Sequence, residues 1–441
     1  MVKLKKILFV SFSGLRKEAI ASVRIYNLIK ELSRYNNIDA FFPNLKESGN
    51  DLYSYDFVNG MYLYDIKQSI FIHKFRKKYK EFSYLDIQKN NNNNKFLELI
   101  NAFIVNNIFF YNFVYSQKNQ RYYKITYKNY YLKKIDIKNY DVVFTSSNPS
   151  IMNYFGYKIK KKNPNIFWVA DYRDLNQNNP NKSDKFNFRG KKMDKLAFKY
   201  ADLITTVSQG AKEQNIENAK NIGFDIKNKS YVLYNGFSME NSSSEPSSEE
   251  KLDSLFVDKD KIYIVYTGTI YPLQKIEYFL KAIKNINSIK FIYAGNSHQL
   301  IDFSVQELNL ADKVINLGFI KKEESEYLQK KADILLLLKL IDGDKDKGIM
   351  TGKFYEYLTK NKKIMVIGDR DNEFNSICKN LKNVDILPYD TKKIVDYLNS
   401  LKKEELKENY DPNIERFSWE NLAKEFDDFI TEKLKERKSL R

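Results

Sequence analysis

Short apolar runs of strand length alternate with amphipathic stretches of helix length along most of this chain, and that alternation narrows the fold more than any other feature. In the first half the runs fall at residues 6–11, 141–145, 166–170 and 203–207. A shorter run at 231–233 leads into the turn signal Tyr234-Asn235-Gly236. Gly14 follows the first run and precedes a helix pattern near 19–35; further amphipathic stretches lie at 191–200 and 209–216. The pattern restarts in the second half. Runs at 261–266, 290–294, 314–317, 334–338, 364–367 and 385–387 are separated by helix patterns at 275–285, 323–331, 353–360 and 391–401. Continuous apolar strands between helices are what a parallel sheet covered on both faces requires. The fold class expected is therefore α/β, with two doubly wound Rossmann-like domains. Residues 240–254, rich in Ser, Glu and Asn and without an apolar period, read as the linker or surface loop at their boundary.

The length of 441 residues suits two domains, and a hydrophobic share of 43% is enough for a sizeable core. A single cysteine, Cys378, excludes an internal disulfide and fits a reducing compartment. Only His73 and His298 are present, far apart, which excludes a His/Cys metal cluster. The net charge of +18 has two readings: a lysine-coated soluble protein with AT-rich codon usage, or attraction to anionic lipids or substrates. No recognised nucleic-acid-binding motif accompanies the charge. The basic, then apolar start at residues 1–10 lacks a small-residue cleavage site and reads as a buried first strand. The apolar window 96–115 contains Glu98 and four asparagines and is not read as membrane-spanning.

Residues 66–135 depart from the alternation. They mix Lys and Arg with Phe and Tyr, as in Phe71-Ile-His-Lys-Phe-Arg-Lys-Lys-Tyr-Lys80, and contain the run Asn90 to Asn94. Basic, aromatic helices of this kind either lie at a lipid headgroup surface or form an insertion packed on the first domain.

The chemistry concentrates in Gly348-Ile-Met-Thr-Gly-Lys-Phe-Tyr-Glu-Tyr-Leu358, which follows a strand pattern and a polar loop and opens a helix. Free amides at a helix start and the positive end of its dipole attract anions. Gly352 permits close backbone approach, and Lys353 adds a cation where the dipole alone would favour an acid. Glu356 lies one turn on, where a carboxylate can accept two hydrogen bonds from a vicinal diol. Phosphate donors beside a diol acceptor suit a nucleoside diphosphate with its ribose. Two Asp-x-Asp patterns, Asp342-Gly-Asp344 and Asp344-Lys-Asp346, sit too late in the chain for a metal-holding nucleotide motif and read as an acidic loop.

The same segment resembles the "T-G-K-x-x-E-Y-L" donor motif of retaining glycosyltransferases of family 4, of the surface-polysaccharide type and GT-B fold. The resemblance extends over most of the second domain. Tyr266-Thr-Gly-Thr-Ile-Tyr-Pro-Leu-Gln-Lys275 is similar to the family's "G-R-L-x-x-x-K" turn, with Thr269 where the Arg stands. Tyr293-Ala-Gly295, Asn316-Leu-Gly-Phe319 and Ala332-Asp-Ile-Leu-Leu-Leu-Leu338 resemble its strand ends. In the first domain Thr145-Ser-Ser-Asn-Pro-Ser150, Asp171-Tyr-Arg-Asp174 and Leu203-Ile-Thr-Thr-Val-Ser-Gln209 resemble family signatures, and Phe417-Ser-Trp-Glu-Asn-Leu-Ala423 resembles the closing helix. Two family features are absent: Gly348 stands where the first Glu of a pair would fall, and no matching strand end carries a histidine.

The resemblance implies an acceptor-side domain at 1–240 with an insertion at about 66–135, a linker at 241–260, and a nucleotide-sugar-binding domain at 261–411. A helix at 412–441 would return to the first domain, and the two domains would face one cleft. It also implies Gly14, Lys275, Thr351, Gly352, Lys353 and Glu356 at the donor nucleotide and diphosphate, Asp171 and Arg173 as catalytic residues, and Arg24, Asp174 and Thr269 in support. The donor would be a nucleotide diphosphate sugar and the acceptor a glycan or lipid-linked glycan, with no metal, no other cofactor and no nucleic-acid partner. The expected location is the cytoplasm, peripheral to the inner face of an anionic membrane. The rival readings are a nucleotide-sugar epimerase of the same fold and a catalytically silent sugar- or lipid-binding scaffold.

Overall fold

The computed structural model describes residues 4–15, 17, 20–43, 52–64, 135–147, 149–177, 187–238, 248–271, 273–340, 350–406 and 410–439. Nearly all of the basic, aromatic insertion, including Asn90 to Asn94, and both Asp-x-Asp patterns lie outside the described residues. The chain divides into two compact units. The first is Met1–Thr206, Asn215–Tyr231 and Leu434–Arg441; the second is Val207–Gln214 and Val232–Lys433.

The first unit holds a seven-stranded sheet of β1 (Lys6–Ser11), β2 (Asn37–Pro43), β3 (Gly60–Tyr64), β4 (Val142–Ser147), β5 (Phe167–Tyr172), β6 (Leu203–Thr206) and β7 (Ser230–Val232), in the order β3-β2-β1-β4-β5-β6-β7. The ladders from β3 to β6 are parallel. Crossovers include α1 (Ile20–Leu32), α2 (Ile151–Lys162), α3 (Asn187–Tyr200) and α4 (Gln209–Lys220). Every residue of β4, β5 and β6 is buried, as expected of strands covered on both faces.

The sequence pattern overlooked β2 because Asn37 and Asp39 interrupt its apolar run. Asp39 is nevertheless buried, and it accepts the Tyr140 hydroxyl at 2.6 Å with the Lys6 ammonium 3.6 Å away. A paired carboxylate can sit in a strand that an apolar-run reading rejects. Trp168 anchors the core beneath α2. A Cβ on Gly156 would meet its ring at 2.1 Å, so α2 approaches β5 closely only because residue 156 lacks a side chain.

The second unit holds a six-stranded parallel sheet of β8 (Ile262–Thr267), β9 (Ile289–Ala294), β10 (Val314–Asn316), β11 (Ile334–Leu338), β12 (Lys363–Ile367) and β13 (Val384–Leu387), ordered β10-β9-β8-β11-β12-β13. The central strand β11, Ile-Leu-Leu-Leu-Leu, is buried throughout. After α5 (Glu249–Asp253) come α6 (Glu277–Ile283), α7 (His298–Leu308), α8 (Lys322–Lys331), α9 (Gly352–Leu358), α10 (Asn372–Cys378), α11 (Thr391–Ser400) and α12 (Trp419–Ser439).

Part of the expected linker is structured. Residues 249–253 are helical and packed, with Leu252 buried and the Tyr327 hydroxyl bridging Glu249 and Asp253 at 2.9 and 2.7 Å. One buried apolar side chain of its own and the Tyr327 hydroxyl of α8, donated to its two carboxylates, hold a segment whose polar composition alone reads as loop. Ser418 caps α12 by accepting the Asn421 amide at 3.2 Å. The last residues of α12, from Leu434, belong to the first unit, within which Arg437 pairs with Asp202 at 3.3 Å and donates to the Pro164 carbonyl at 3.0 Å. No helix among the described residues is long and apolar enough to cross a membrane.

Candidate functional site

In an open parallel sheet the ligand crevice lies outside the carboxyl ends of the strands, where the strand order reverses. In the second unit that point falls between β8 and β11. These strands pair only at Ile264 and Val265, so they part before β8 ends. The amide of Thr267, beyond the last pair, donates instead to the Tyr357 hydroxyl of α9 at 3.3 Å. Gly268 and Gly295 then bring the ends of β8 and β9 together: a Cβ on Gly295 would sit 2.1 Å from the Gly268 carbonyl oxygen. Gly268 adopts φ +116°, a conformation that favours glycine.

α9 opens at this point. Thr351 is its N-cap residue in extended conformation, but its hydroxyl makes no capping bond, and its buried Oγ1 has no hydrogen-bond partner among the described residues. The amides of Gly352 and Lys353 have no acceptor within their own helix. The Lys353 side chain runs back over β8. Its Nζ lies 3.6 Å from the centroid of the Tyr266 ring and so close to Gly268 that a Cβ there would be 2.8 Å away. Glycine at 268 is thus what admits the ammonium.

Among the described residues Lys353 has no hydrogen-bond or ion-pair partner. Burial pushes its ammonium down from 10.5 to about 7, against the upward pull of Glu356. Glu356 is half-buried and accepts one hydrogen bond, from Gln329 Nε2 at 2.9 Å on Oε1. Although Lys353 and Glu356 stand at i and i+3 on one helix, they do not pair.

Lys275 and Thr269 occupy the segment between β8 and α6. Thr269 accepts the Tyr266 hydroxyl on its carbonyl at 3.2 Å. Lys275 is half-buried, and its ammonium has no partner among the described residues. The second unit therefore brings Thr351, Gly352, Lys353 and Glu356 onto the first turns of α9, with the Gly268–Thr269 turn beside Lys353. The arrangement offers a cation, unpaired amides, a buried hydroxyl and a fixed carboxylate: donors for an anion, beside an acceptor of hydroxyl protons. Among the described residues no three His, Cys, Asp or Glu side chains gather as a metal site.

In the first unit the order reverses between β1 and β4. Gly14 follows β1 and is required there, because a Cβ would meet the Phe42 ring at 2.7 Å. Its amide already donates to Ser22 Oγ at 3.0 Å, and its carbonyl accepts the Tyr55 hydroxyl. This amide is not open to a phosphate, and Gly14 serves loop packing.

Asp171, at the end of β5, is more enclosed still. It has no exposed surface, and its carboxylate accepts three side-chain bonds: Arg24 Nη2 at 3.0 Å, Thr205 Oγ1 at 2.8 Å and Ser146 Oγ at 2.9 Å. A carboxylate so enclosed and so fully bonded is held by its own neighbours, which weighs against the catalytic role that the resemblance implies for it. Arg24, 2% exposed, is Asp171's ion-pair partner. Arg173 instead pairs with the adjacent Asp174 through Nε at 3.2 Å and Nη2 at 3.0 Å, where Asp174 is 42% exposed.

Two positions escaped sequence reasoning. Asp194 is buried and accepts Tyr172, Asn176 and Gln177 at 3.0, 2.6 and 2.9 Å, tying the segment after β5 to α3. Gln329 holds Glu356. Neither lies in a motif, and an Asp or Gln within a helix carries no local mark of burial.

Residues 247–346 match the family model described as glycosyl transferases group 1. The match spans β8 to β11 and stops before Lys353 and Glu356. An uncharacterized glycosyltransferase of Methanocaldococcus jannaschii is 25% identical over 242 residues, covering 50% of this chain and 58% of that relative. Two solved structures resemble the chain nearly end to end. Anabaena HepE in complex with UDP has a TM-score of 0.60 at 12% identity, over 97% of this chain and 100% of that one. Sucrose-phosphate synthase from Thermosynechococcus elongatus has a TM-score of 0.62 at 12% identity, over 97% and 98%. At such identities the likeness is one of fold: two Rossmann-like domains of the GT-B type.

Proposed function

We propose that this protein is a glycosyltransferase that moves a sugar from a nucleoside diphosphate sugar to a hydroxyl of a glycan or glycolipid. The observation that carries the reading is the start of α9, where Lys353 and Glu356 lie unpaired with each other at the reversal point of the second sheet. The group 1 match over the preceding hundred residues supports it. In this reading Lys353, Lys275, the amides at the start of α9 and the Thr351 hydroxyl hold the diphosphate, and Glu356 accepts the ribose hydroxyls. The sugar–phosphate bond breaks with its electron pair leaving on the diphosphate, a bond from the acceptor oxygen to the anomeric carbon forms, and the hydroxyl proton passes to an oxygen of the departing diphosphate. Fixed donors act on the charge that develops on the leaving diphosphate.

The Arg24–Asp171 network supports the carboxyl ends of β4, β5 and β6, leaving Arg173 and Asp174 as the candidates for acceptor contact. Retention of configuration, action without a metal ion and a role in surface-polysaccharide assembly follow the resemblance of residues 348–358.

A thermal-shift panel of UDP, GDP, ADP and dTDP tests donor binding, since a ligand bound only by the folded state raises its midpoint. Glu356→Ala is expected to weaken the binding of the best nucleotide by roughly ten- to a hundred-fold, from the loss of a charged hydrogen bond of about 1.5–3 kcal/mol. Calorimetry giving equal affinity in variant and parent would remove Glu356 from the site.

The proposal extends to a cytoplasmic enzyme peripheral to an anionic membrane, supported by the net charge of +18 and the basic, aromatic composition of residues 66–135. Binding to phosphatidylserine vesicles should then be released by salt, because exposed charges are screened over about 8 Å at physiological ionic strength. Replacing Lys74, Arg76, Lys77 and Lys78 with Gln should weaken it. A protein that stays in solution beside such vesicles at low salt refutes the membrane contact.

A further inference from the structure

We propose that Gln329 is a positioning residue of the donor site, holding Glu356 away from Lys353 so that both charges stay available to the ligand. The inference rests on the reading of α9 as that site.

Gln329 lies on α8 and has no exposed surface. Its Nε2 is 2.9 Å from Glu356 Oε1 and 2.8 Å from Thr267 Oγ1, with Ser325 Oγ farther off at 3.4 Å. One amide thus ties the carboxylate of α9 to the last residue of β8, directly before the Gly268 turn that admits the Lys353 ammonium. Its own Oε1 is buried without a partner among the described residues. A position serving packing alone would favour Leu or Met, which fill similar space and leave no orphaned acceptor. The group present instead delivers an N–H to a carboxylate. The reverse amide orientation would set a carbonyl oxygen against that carboxylate, so the charge on Glu356 fixes which end points at it.

The consequence concerns two opposite charges at i and i+3. Such pairs normally meet on a helix surface. A glutamate side chain has staggered alternatives about its first two torsions, through which the carboxylate can move as a whole. Released from Gln329, Glu356 is free to swing onto Lys353 and neutralise it, leaving neither a cation for phosphate nor a carboxylate for a diol. With Oε1 held, Oε2 is the oxygen left for the ligand.

The test is a double-mutant cycle on UDP affinity, or on whichever of UDP, GDP, ADP and dTDP raises the parent's midpoint most. Gln329→Leu should weaken binding about tenfold, with a melting midpoint equal to or above the parent's because the orphaned acceptor is also gone. In a Glu356→Ala background the same change should alter affinity less than about twofold, since nothing remains to be positioned. Equal, additive losses in both backgrounds would assign Gln329 to packing and overturn the proposal. So would parent-like affinity in Gln329→Leu while Glu356→Ala has lost binding, or a failure of both Gln329→Leu and Gln329→Met to fold. If Glu356→Ala itself binds as tightly as the parent, the donor-site reading falls first.

Discussion

Asp171→Ala should lower the stability of the fold by about 3–5 kcal/mol, the range for removing one partner of a buried ion pair. The substitution takes a carboxylate from the Arg24 guanidinium and an acceptor from the Ser146 and Thr205 hydroxyls, all within a core that excludes water. Asp171→Asn keeps the shape and part of the bonding, so it should fold with a smaller loss. Urea unfolding of both variants, beside turnover of the folded Asn variant, separates the two roles this residue has been given. A positioning residue leaves the folded Asn variant within about tenfold of parental turnover. A stable Asn variant that binds nucleotide normally and has lost turnover by three orders of magnitude would restore Asp171 to the reaction itself.

Lys353→Met should cost about 10²–10³-fold in kcat, the scale set by removing one fixed donor from a developing anion. It should also erase a pH dependence. Lys353 is held near 7 in the folded chain against an ordinary 10.5. Between those values the unfolded chain binds more protons, so stability rises with pH through this window. The burial penalty is present in full below pH 7.

A bound diphosphate has the opposite effect: it favours the ammonium and draws a proton onto it. Nucleotide affinity should therefore be greatest near or below neutrality and fall, by up to tenfold per pH unit, as pH rises above 7. The nucleotide's terminal phosphate is largely ionised by then, so pH 7.5–9.5 isolates the lysine. Tyr266, whose ring lies under the ammonium, has its hydroxyl pushed well above 10 by burial and stays neutral throughout that range. Calorimetry on the parent and Lys353→Met checks both points. A flat affinity profile in the parent, or the same slope in the variant, would separate Lys353 from the phosphate.

Much of the fold was legible in the chain because strands covered on both faces need unbroken apolar runs. Ile-Leu-Leu-Leu-Leu at 334–338 can be little else, and the alternation of such runs with helix patterns fixes a parallel sheet. Where a strand carries buried polar residues, as at Asp39 in β2, the run is broken and the strand cannot be read.

The start of α9 was legible as an element as well, since a helix start is a local object: Thr351, Gly352, Lys353 and Glu356 fall within six positions of one another, on the N-cap and first turns of one helix. What the sequence by itself determined was therefore what neighbours along the chain can build. The tertiary structure decided the pairing of groups far apart in sequence. Asp171 meets Arg24 across 147 positions, which encloses in an ion pair a carboxylate that the chain alone presents as free. Gln329 meets Glu356 across 27, which leaves the carboxylate and Lys353 apart. A charged side chain keeps its chemistry only if no other group in the fold has already satisfied it, and that depends on packing between elements that no local pattern records.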